Sequence, residues 1–168
     1  DYIDRHEPGM ERAAYSAGRE RSVGLGVMGF HSFLQARGLP FEGAMAKSWN
    51  LRIFKHIKAQ VDEASMALAV ERGPCPDAAD MGVMGRFSCK MAIAPTASIS
   101  IICGGTSACI EPIPANIYTH KTLSGSFAVK NPYLRKLLAE KSKDADSVWN
   151  SILEHGGSVQ HLDFLSPE

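Results

Sequence analysis

The stretch Ala94-Pro95-Thr96-Ala97-Ser98-Ile99-Ser100 combines a chain break with closely spaced hydroxyls. The chemistry this suits is the holding of an anion. Met91-Ala92-Ile93-Ala94 is short and apolar and reads as the end of a buried strand. Pro95 lacks an N–H, stops the strand and sets a turn. Thr96, Ser98 and Ser100 then offer hydroxyls, and the backbone N–H groups after Pro95 can face a phosphate if a helix begins there. A Ser/Thr-rich turn after a strand also serves simply as a capped loop, so the residues alone leave both readings open. A P-loop needs a Lys after its second glycine, and none stands here. Any anion would be held by amides and hydroxyls, with cations supplied from elsewhere.

Other residues have the types for chemistry but weaker patterns. Glu111 lies between Ile110 and Pro112, an apolar setting that suggests a buried carboxylate. General acid–base work is one role, and a structural hydrogen-bonded carboxylate is the simpler one. Cys103 and Cys109 flank Gly104-Gly105-Thr106-Ser107. Cysteine commonly packs as a small hydrophobe, and a redox role needs a partner thiol or an activating neighbour. Arg21, Arg86 and Lys90 are candidate anion partners, with surface charge as the default reading. Arg86 and Lys90 precede the apolar strand, at the end remote from Pro95. Gly24-Leu25-Gly26-Val27-Met28-Gly29 matches a dinucleotide fingerprint, but Arg19-Glu20-Arg21-Ser22 precedes it where a buried strand is required. Those glycines read better as one face of a helix that packs closely on a neighbour. The cysteines, Cys75, Cys89, Cys103 and Cys109, form no Cys-x-x-Cys pair, and the histidines are scattered, so no metal site is expected from this chain alone.

The elements that must position these residues follow from periodicity. Residues 11–19 predict a short helix. Residues 23–37 predict another, with Val23, Val27, Phe30, Phe33 and Leu34 at spacings of three and four and Gly38 as its stop. Residues 42–72 predict the longest helix. Its inner stripe is Leu51, Phe54, Ile57, Val61, Ala64 and Leu68, and Gly73-Pro74 is its end. Residues 77–84 predict irregular chain or a single turn. Residues 87–94 predict a strand, and residues 99–103 a strand or a first helical turn. Residues 116–129 predict extended segments around Ser124-Gly125-Ser126. Asn131-Pro132 opens a helix with Leu134, Leu137 and Leu138 facing inward. Residues 144–155 predict a further helix with Val148, Trp149, Ile152 and Leu153 apolar, stopped by Gly156-Gly157. Residues 159–165 predict a last strand. The class is α/β and helix-rich, with strands too few to complete a sheet.

Bulk properties narrow the function. The chain has 168 residues, 45% hydrophobic and 21% charged, with zero formal net charge. That suits one globular domain and gives no electrostatic basis for non-specific nucleic-acid binding. The apolar runs are too short to span a membrane, and no signal peptide opens the sequence. Dispersed cysteines suggest reduced thiols and a cytoplasmic location. The first residue is Asp, and Ser166-Pro167-Glu168 has the order of a helix opening, so an internal piece of a longer protein is expected: a single partial domain over residues 1–168.

Taken in order, several segments resemble the ribonucleotide reductase large (α) subunit family. They are Arg21-Ser22-Val23-Gly24-Leu25-Gly26-Val27-Met28-Gly29-Phe30, Glu71-Arg72-Gly73-Pro74-Cys75-Pro76, residues 92–100, Ile110-Glu111-Pro112, and Tyr118-Thr119-His120-Lys121-Thr122-Leu123-Ser124-Gly125-Ser126-Phe127. The resemblance covers nearly the whole chain. It implies the later, helix-rich portion of a ten-stranded α/β barrel, incomplete in this chain. It implies that Pro95, Thr96, Ala97, Ser98 and Ile99 hold the phosphates of a ribonucleoside diphosphate. It further implies reduction of that substrate to a deoxyribonucleotide for DNA synthesis, in the manner of a class I enzyme. The radical would come from a separate metal-containing β subunit, the electrons from thioredoxin or glutaredoxin, and ATP or dNTP effectors would bind elsewhere. The rest of the α subunit is a further implied partner.

The family's Asn-x-Cys-x-Glu catalytic motif does not stand in this sequence, so no catalytic residue is assigned to it and the segment alone is expected to be inert. The catalytic residues would lie before Asp1, and the radical-transfer tyrosines and cysteine tail after Glu168. Two departures stand out: Ala108-Cys109 where a Pro-Gly or Asn-Gly pair is usual, and Ser88-Cys89 where an Arg-Asn type segment is common. A cobalamin-dependent class II fragment, and a non-catalytic helical interaction module of a split protein, are the alternatives.

Overall fold

A computed structural model describes residues 8–123 and 125–165. Its longest element is α3 (Ala44–Arg72), 29 residues without an internal Gly or Pro. The inner face of α3 is narrow and built of small residues: Ala46, Ser65 and Ala69 are buried. Ile53, Phe54, Ile57, Val61 and Leu68 are half-buried along the same stripe. Leu51, expected inside, is 63% exposed, and Ala64 is exposed too. The stripe therefore runs through Ser65 and Ala69, where small side chains let residues 86–87 approach. Ser65 Oγ accepts the N–H groups of Arg86 at 3.1 Å and Phe87 at 3.4 Å. The helix ends at Gly73 as predicted. Arg86 donates to the carbonyls of Arg72 and Gly73 at 3.0 Å each, satisfying groups a helix end leaves open.

Before α3 come α1 (Glu11–Glu20) and α2 (Phe30–Ala36), and after it α4 (Pro76–Asp80). Arg19 at the end of α1 pairs with Asp77 at 2.6 Å and with Asp80, fixing α1 to α4.

Residues 22–28 are not helical, and 23–25 run beside 89–92 as a strand would, which corrects the first part of the helix expected over 23–37 and the helix-face reading of its glycines. Leu25 pairs in parallel with Met91. Val23 N–H donates to Cys89 O at 3.0 Å, Leu25 N–H to Lys90 O at 3.1 Å, and Ala92 N–H to Leu25 O at 3.2 Å. The glycine spacing of two is that of a pleat. A Cβ on Gly26 would stand 2.7 Å from Ala92 O, and one on Gly24 would stand 3.1 Å from Ala92 Cβ. Close packing is thus the role of these glycines, but on a strand-like segment. Helix α2 begins only after Gly29, whose φ is +82°. The strand expected over 87–94 is reduced to this one bridge, since no other described segment pairs with it.

A single helical turn, α5 (Ile99–Ile102), follows Pro95. Next comes an antiparallel hairpin, β1 (Ile117–Thr122) with β2 (Gly125–Lys130), in the register Ile117 opposite Lys130 and His120 opposite Phe127. Ser124, part of the expected turn, lies outside the described residues. Helix α6 (Pro132–Glu140) opens as predicted: Asn131 Oδ1 accepts from Tyr133 N–H at 3.0 Å, with Pro132 at the first position. Helix α7 (Asp146–Glu154) is followed by Gly156 and Gly157. Residues 159–165 are two successive turns, closed by Leu162 N–H to Val159 O and Leu165 N–H to Leu162 O at 3.0 Å each. The expected strand is absent because its apolar residues recur at three, a turn's period, and Val159, Leu162 and Leu165 all pack on the core. The Ser166-Pro167-Glu168 helix opening lies outside the described residues.

Two cores result. One gathers Phe30, Leu34 and Ala46, with Phe33, Leu39, Ile53 and Ile110 against them. The other gathers Ile117, Leu134, Leu138, Trp149 and Ile152. The chain is α/β and helix-rich, with one two-stranded sheet among the described residues.

Candidate functional site

Pro95 ends the extended segment, and Thr96 then takes a left-handed backbone, φ +50°. Its carbonyl accepts Ser100 N–H at 2.9 Å, while Ser98 O accepts Ile102 N–H at 3.2 Å and Ile99 O accepts Cys103 N–H at 2.9 Å. Those bonds make α5. The N–H groups of Ala97, Ser98 and Ile99 donate to no acceptor among the described residues. Ser98, right-handed at φ −89° and ψ −37°, makes no side-chain cap bond. Pro95, Ala97, Ser98 and Ile99 are exposed and Thr96 is half-buried. A left-handed residue followed by a turn sets successive amides facing one way, the concavity that receives anions. The five expected residues are therefore together, with three open amides and one free hydroxyl. Ser100 differs: it is buried, and its Oγ donates to Ala97 O at 3.3 Å.

The candidate cations do not join them. Lys90 pairs with Asp62 at 2.7 Å, and Arg86 caps α3. Hydrogen bonds from Lys58 and then Lys90 hold the Asp62 carboxyl below its usual range. Arg21 lies in the left-handed cap of α1, its N–H on Ala17 O at 2.9 Å. The loop presents neutral donors only.

The loop is held from behind. Cys109 N–H donates to Thr96 Oγ1 at 2.8 Å. Cys109 itself has φ +39° and is 4% exposed. This explains one sequence departure: the position takes the left-handed backbone that a glycine or asparagine adopts readily, and here a cysteine adopts it. Two residues earlier, Ser107 N–H donates to Ser32 Oγ at 2.8 Å, and Ser32 N–H donates to Ser107 Oγ at 3.1 Å. Gly29 N–H donates to Ser107 O at 2.8 Å. His31 Nδ1 accepts Ile113 N–H at 3.0 Å, and burial pushes the His31 pKa down.

The serine pair was not legible in the sequence, because its members are far apart and polar. The one available hint was Gly29, a helix-starting residue with no side chain to cap its own helix.

Glu111 is exposed and accepts no hydrogen bond from a described residue, which corrects the expectation of a buried carboxylate. It sits in an open bend beyond the buried Cys109, so its apolar neighbours in sequence do not enclose it. All four cysteines are free thiols, Cys75 and Cys109 buried, Cys89 and Cys103 exposed. A cleft of about 860 Å³ opens between residues 31–41 and the α6 side, lined by His31, Phe41, Tyr133, Leu137 and Lys141 among others. None of residues 95–99 lines it, so it is separate from their loop.

Comparison with known proteins gives one consistent result. The family described as "Ribonucleotide reductase, barrel domain" matches residues 1–81 and 78–168. The ribonucleoside-diphosphate reductase large subunit of Invertebrate iridescent virus 6 is 45% identical over 163 residues, covering 96% of this chain and 17% of that protein. The large subunit of Invertebrate iridescent virus 3 is 44% identical over 168 residues, covering 98% of this chain and 26% of that protein. The Actinobacillus ureae class Id ribonucleotide reductase alpha subunit superposes with a TM-score of 0.85 at 39% identity, over 99% of this chain and 30% of that one. The chain thus spans about a quarter or less of the curated relatives' length.

Proposed function

The chain belongs to the ribonucleotide reductase barrel-domain family, and from that premise we propose that it supplies the substrate-phosphate loop of a class I ribonucleoside-diphosphate reductase α subunit. The observation that carries this reading is the run of open amides on Ala97, Ser98 and Ile99 behind a left-handed Thr96. A diphosphate is a dense acceptor, and hydrogen bonds to charged groups are worth about 1.5–3 kcal/mol each. Three amides and the Ser98 hydroxyl are enough to fix its position without a resident cation. The loop's work is to bind and orient, since its own residues are a proline, two hydroxyls and two apolar side chains and all four cysteines are unpaired.

The remaining chemistry belongs to other parts of the assembly. The catalytic cysteines lie in the rest of the α subunit, and the radical is delivered by a metal-containing β subunit. The reducing equivalents come from thioredoxin or glutaredoxin, and this chain by itself is inert. The rest of the ten-stranded barrel covers the apolar surface near the loop. Ile99, Ile101 and Ile102 of α5 are 56%, 51% and 83% exposed while Ser100 is buried, the reverse of a helix facing its own core. Ile93 at 62% exposure extends the same surface along the edge of the extended segment.

Ser98→Asp in the complete α subunit tests the reading. A second negative charge about 4 Å from a phosphate costs roughly 1–4 kcal/mol between bulk water and a protein surface. The KM for a ribonucleoside diphosphate should rise at least about fivefold with the thermal midpoint unchanged, because Ser98 is exposed and makes no internal bond. An unchanged KM removes the loop from the substrate site.

A further inference from the structure

We propose that Ser32, Ser107 and Thr96 form a positioning relay that presets the anion loop for its substrate; this rests on the reading of that loop as the substrate-phosphate site. Ser107 and Ser32 are 1% and 4% exposed. Neither can touch a ligand arriving from solvent, so any effect they have on binding must pass through other residues.

The relay starts at α2. Its N-cap, Gly29, has no side chain, and the third helical amide, that of Ser32, would be left open. Ser107 Oγ takes that N–H at 3.1 Å, and Ser32 Oγ takes the Ser107 N–H at 2.8 Å. This is the reciprocity of a capping box, made between two segments far apart in the chain. It is packed without slack: a Cβ on Gly29 would stand 2.7 Å from Thr106 Oγ1.

From Ser107 the chain needs only two steps to reach Cys109, whose N–H donates to Thr96 Oγ1 at 2.8 Å. Cys109 and Thr96 both have positive φ, +39° and +50°. Such a conformation is unfavourable for any residue with a Cβ, and most of all for a β-branched one. It persists where surrounding contacts over-determine it. Here those contacts are one hydrogen bond between the two strained residues and the buried serine pair behind it. If the bond is lost, Thr96 relaxes toward ordinary φ and the amides of Ala97, Ser98 and Ile99 no longer converge. Thr96 is therefore a positioning residue through its acceptor lone pair, whatever its hydroxyl proton meets in the complex.

The test uses the complete α subunit with its β subunit and a ribonucleoside diphosphate. Ser107→Ala, Ser32→Ala and Thr96→Val should each raise KM about tenfold and leave kcat at saturation within about twofold. Thr96→Ser, which keeps the acceptor, should reverse most of the rise in KM that Thr96→Val causes. If an alanine variant fails to fold, Ser32→Cys or Ser107→Cys takes its place, since a cysteine keeps a small side chain but is a weaker acceptor. Serine variants that fold and melt earlier with an unchanged KM would make the clasp purely structural and overturn the relay. A KM effect confined to Thr96→Val, absent from both serine variants, overturns it too and points to direct contact. Failure of the relay is separable from failure of the phosphate reading, because Ser98→Asp reports on the loop without touching the clasp.

Discussion

His31, next to the buried Ser32, shows how a single side chain can register pH. Its Nδ1 accepts the Ile113 N–H, a bond only an unprotonated nitrogen can make, and burial lowers its pKa. The unfolded chain takes up this proton near pH 6.5, before the folded chain does. His31 therefore contributes full stability above about pH 6.5 and loses it as pH falls through the window below that value. Urea unfolding between pH 5 and 7 should show this slope, and His31→Gln, which still offers an acceptor but does not titrate, should flatten it; an equal slope in the variant contradicts the assignment. At this scale the loop was legible, because Pro95 and the hydroxyls beside it announce a turn by residue type alone. The clasp was not, because a serine carries no periodicity and its partner lies 75 positions away. Glu111 misled for the converse reason: apolar neighbours in sequence do not enclose a side chain whose backbone bends into the open.

Helix ends show what local signals can and cannot fix. After α2 and α7 the left-handed positions are Gly38 and Gly156, with φ +62° and +65°. Each helix closes with the paired bonds of a Schellman motif, Leu39 N–H to Leu34 O and Gly157 N–H to Ile152 O. Both stops were readable from the glycines. Helix α6 ends the same way, with Lys143 N–H on Leu138 O at 2.7 Å, but its left-handed residue is Ser142 at φ +56°. A side chain there costs about 1–2 kcal/mol, of which a glycine's extra unfolded freedom returns roughly 0.4–1. Ser142→Gly should therefore raise this chain's stability by about 0.5–1 kcal/mol, read as a higher urea midpoint at constant m-value; a lower midpoint contradicts it. The larger error, a helix assigned to residues 23–29, has a different cause. Val23 and Val27 fit a helical period, yet Gly24 and Gly26 are spaced for the pleat that lets Ala92 come close. Pattern could not arbitrate between the two periods until the neighbour was known.

Over the whole molecule, α-helical order and the local hairpin of β1 and β2 were largely legible, and the long-range parallel pairing was not. Helices bond within themselves, so their sequence carries most of their evidence, as α3, α6 and α7 illustrate. A parallel strand draws its bonds from partners far away, and the segment around Met91 finds only Leu25. The exposed isoleucines of α5 and the exposed Met45, Leu51, Met66 and Val70 of α3 mark where apolar surface is left uncovered by this chain. Function was legible only by combining scales: the turn chemistry left two readings, and the order of the segments carries the resemblance from which the phosphate reading is proposed. The most direct test is equilibrium binding to the complete α subunit, comparing a ribonucleoside diphosphate with the same nucleoside lacking phosphates. The wild-type subunit should prefer the diphosphate by at least about tenfold, a difference of about 1.4 kcal/mol, and Ser98→Asp should abolish most of that preference. Equal preference in both proteins would contradict the central claim that this loop grips the phosphates.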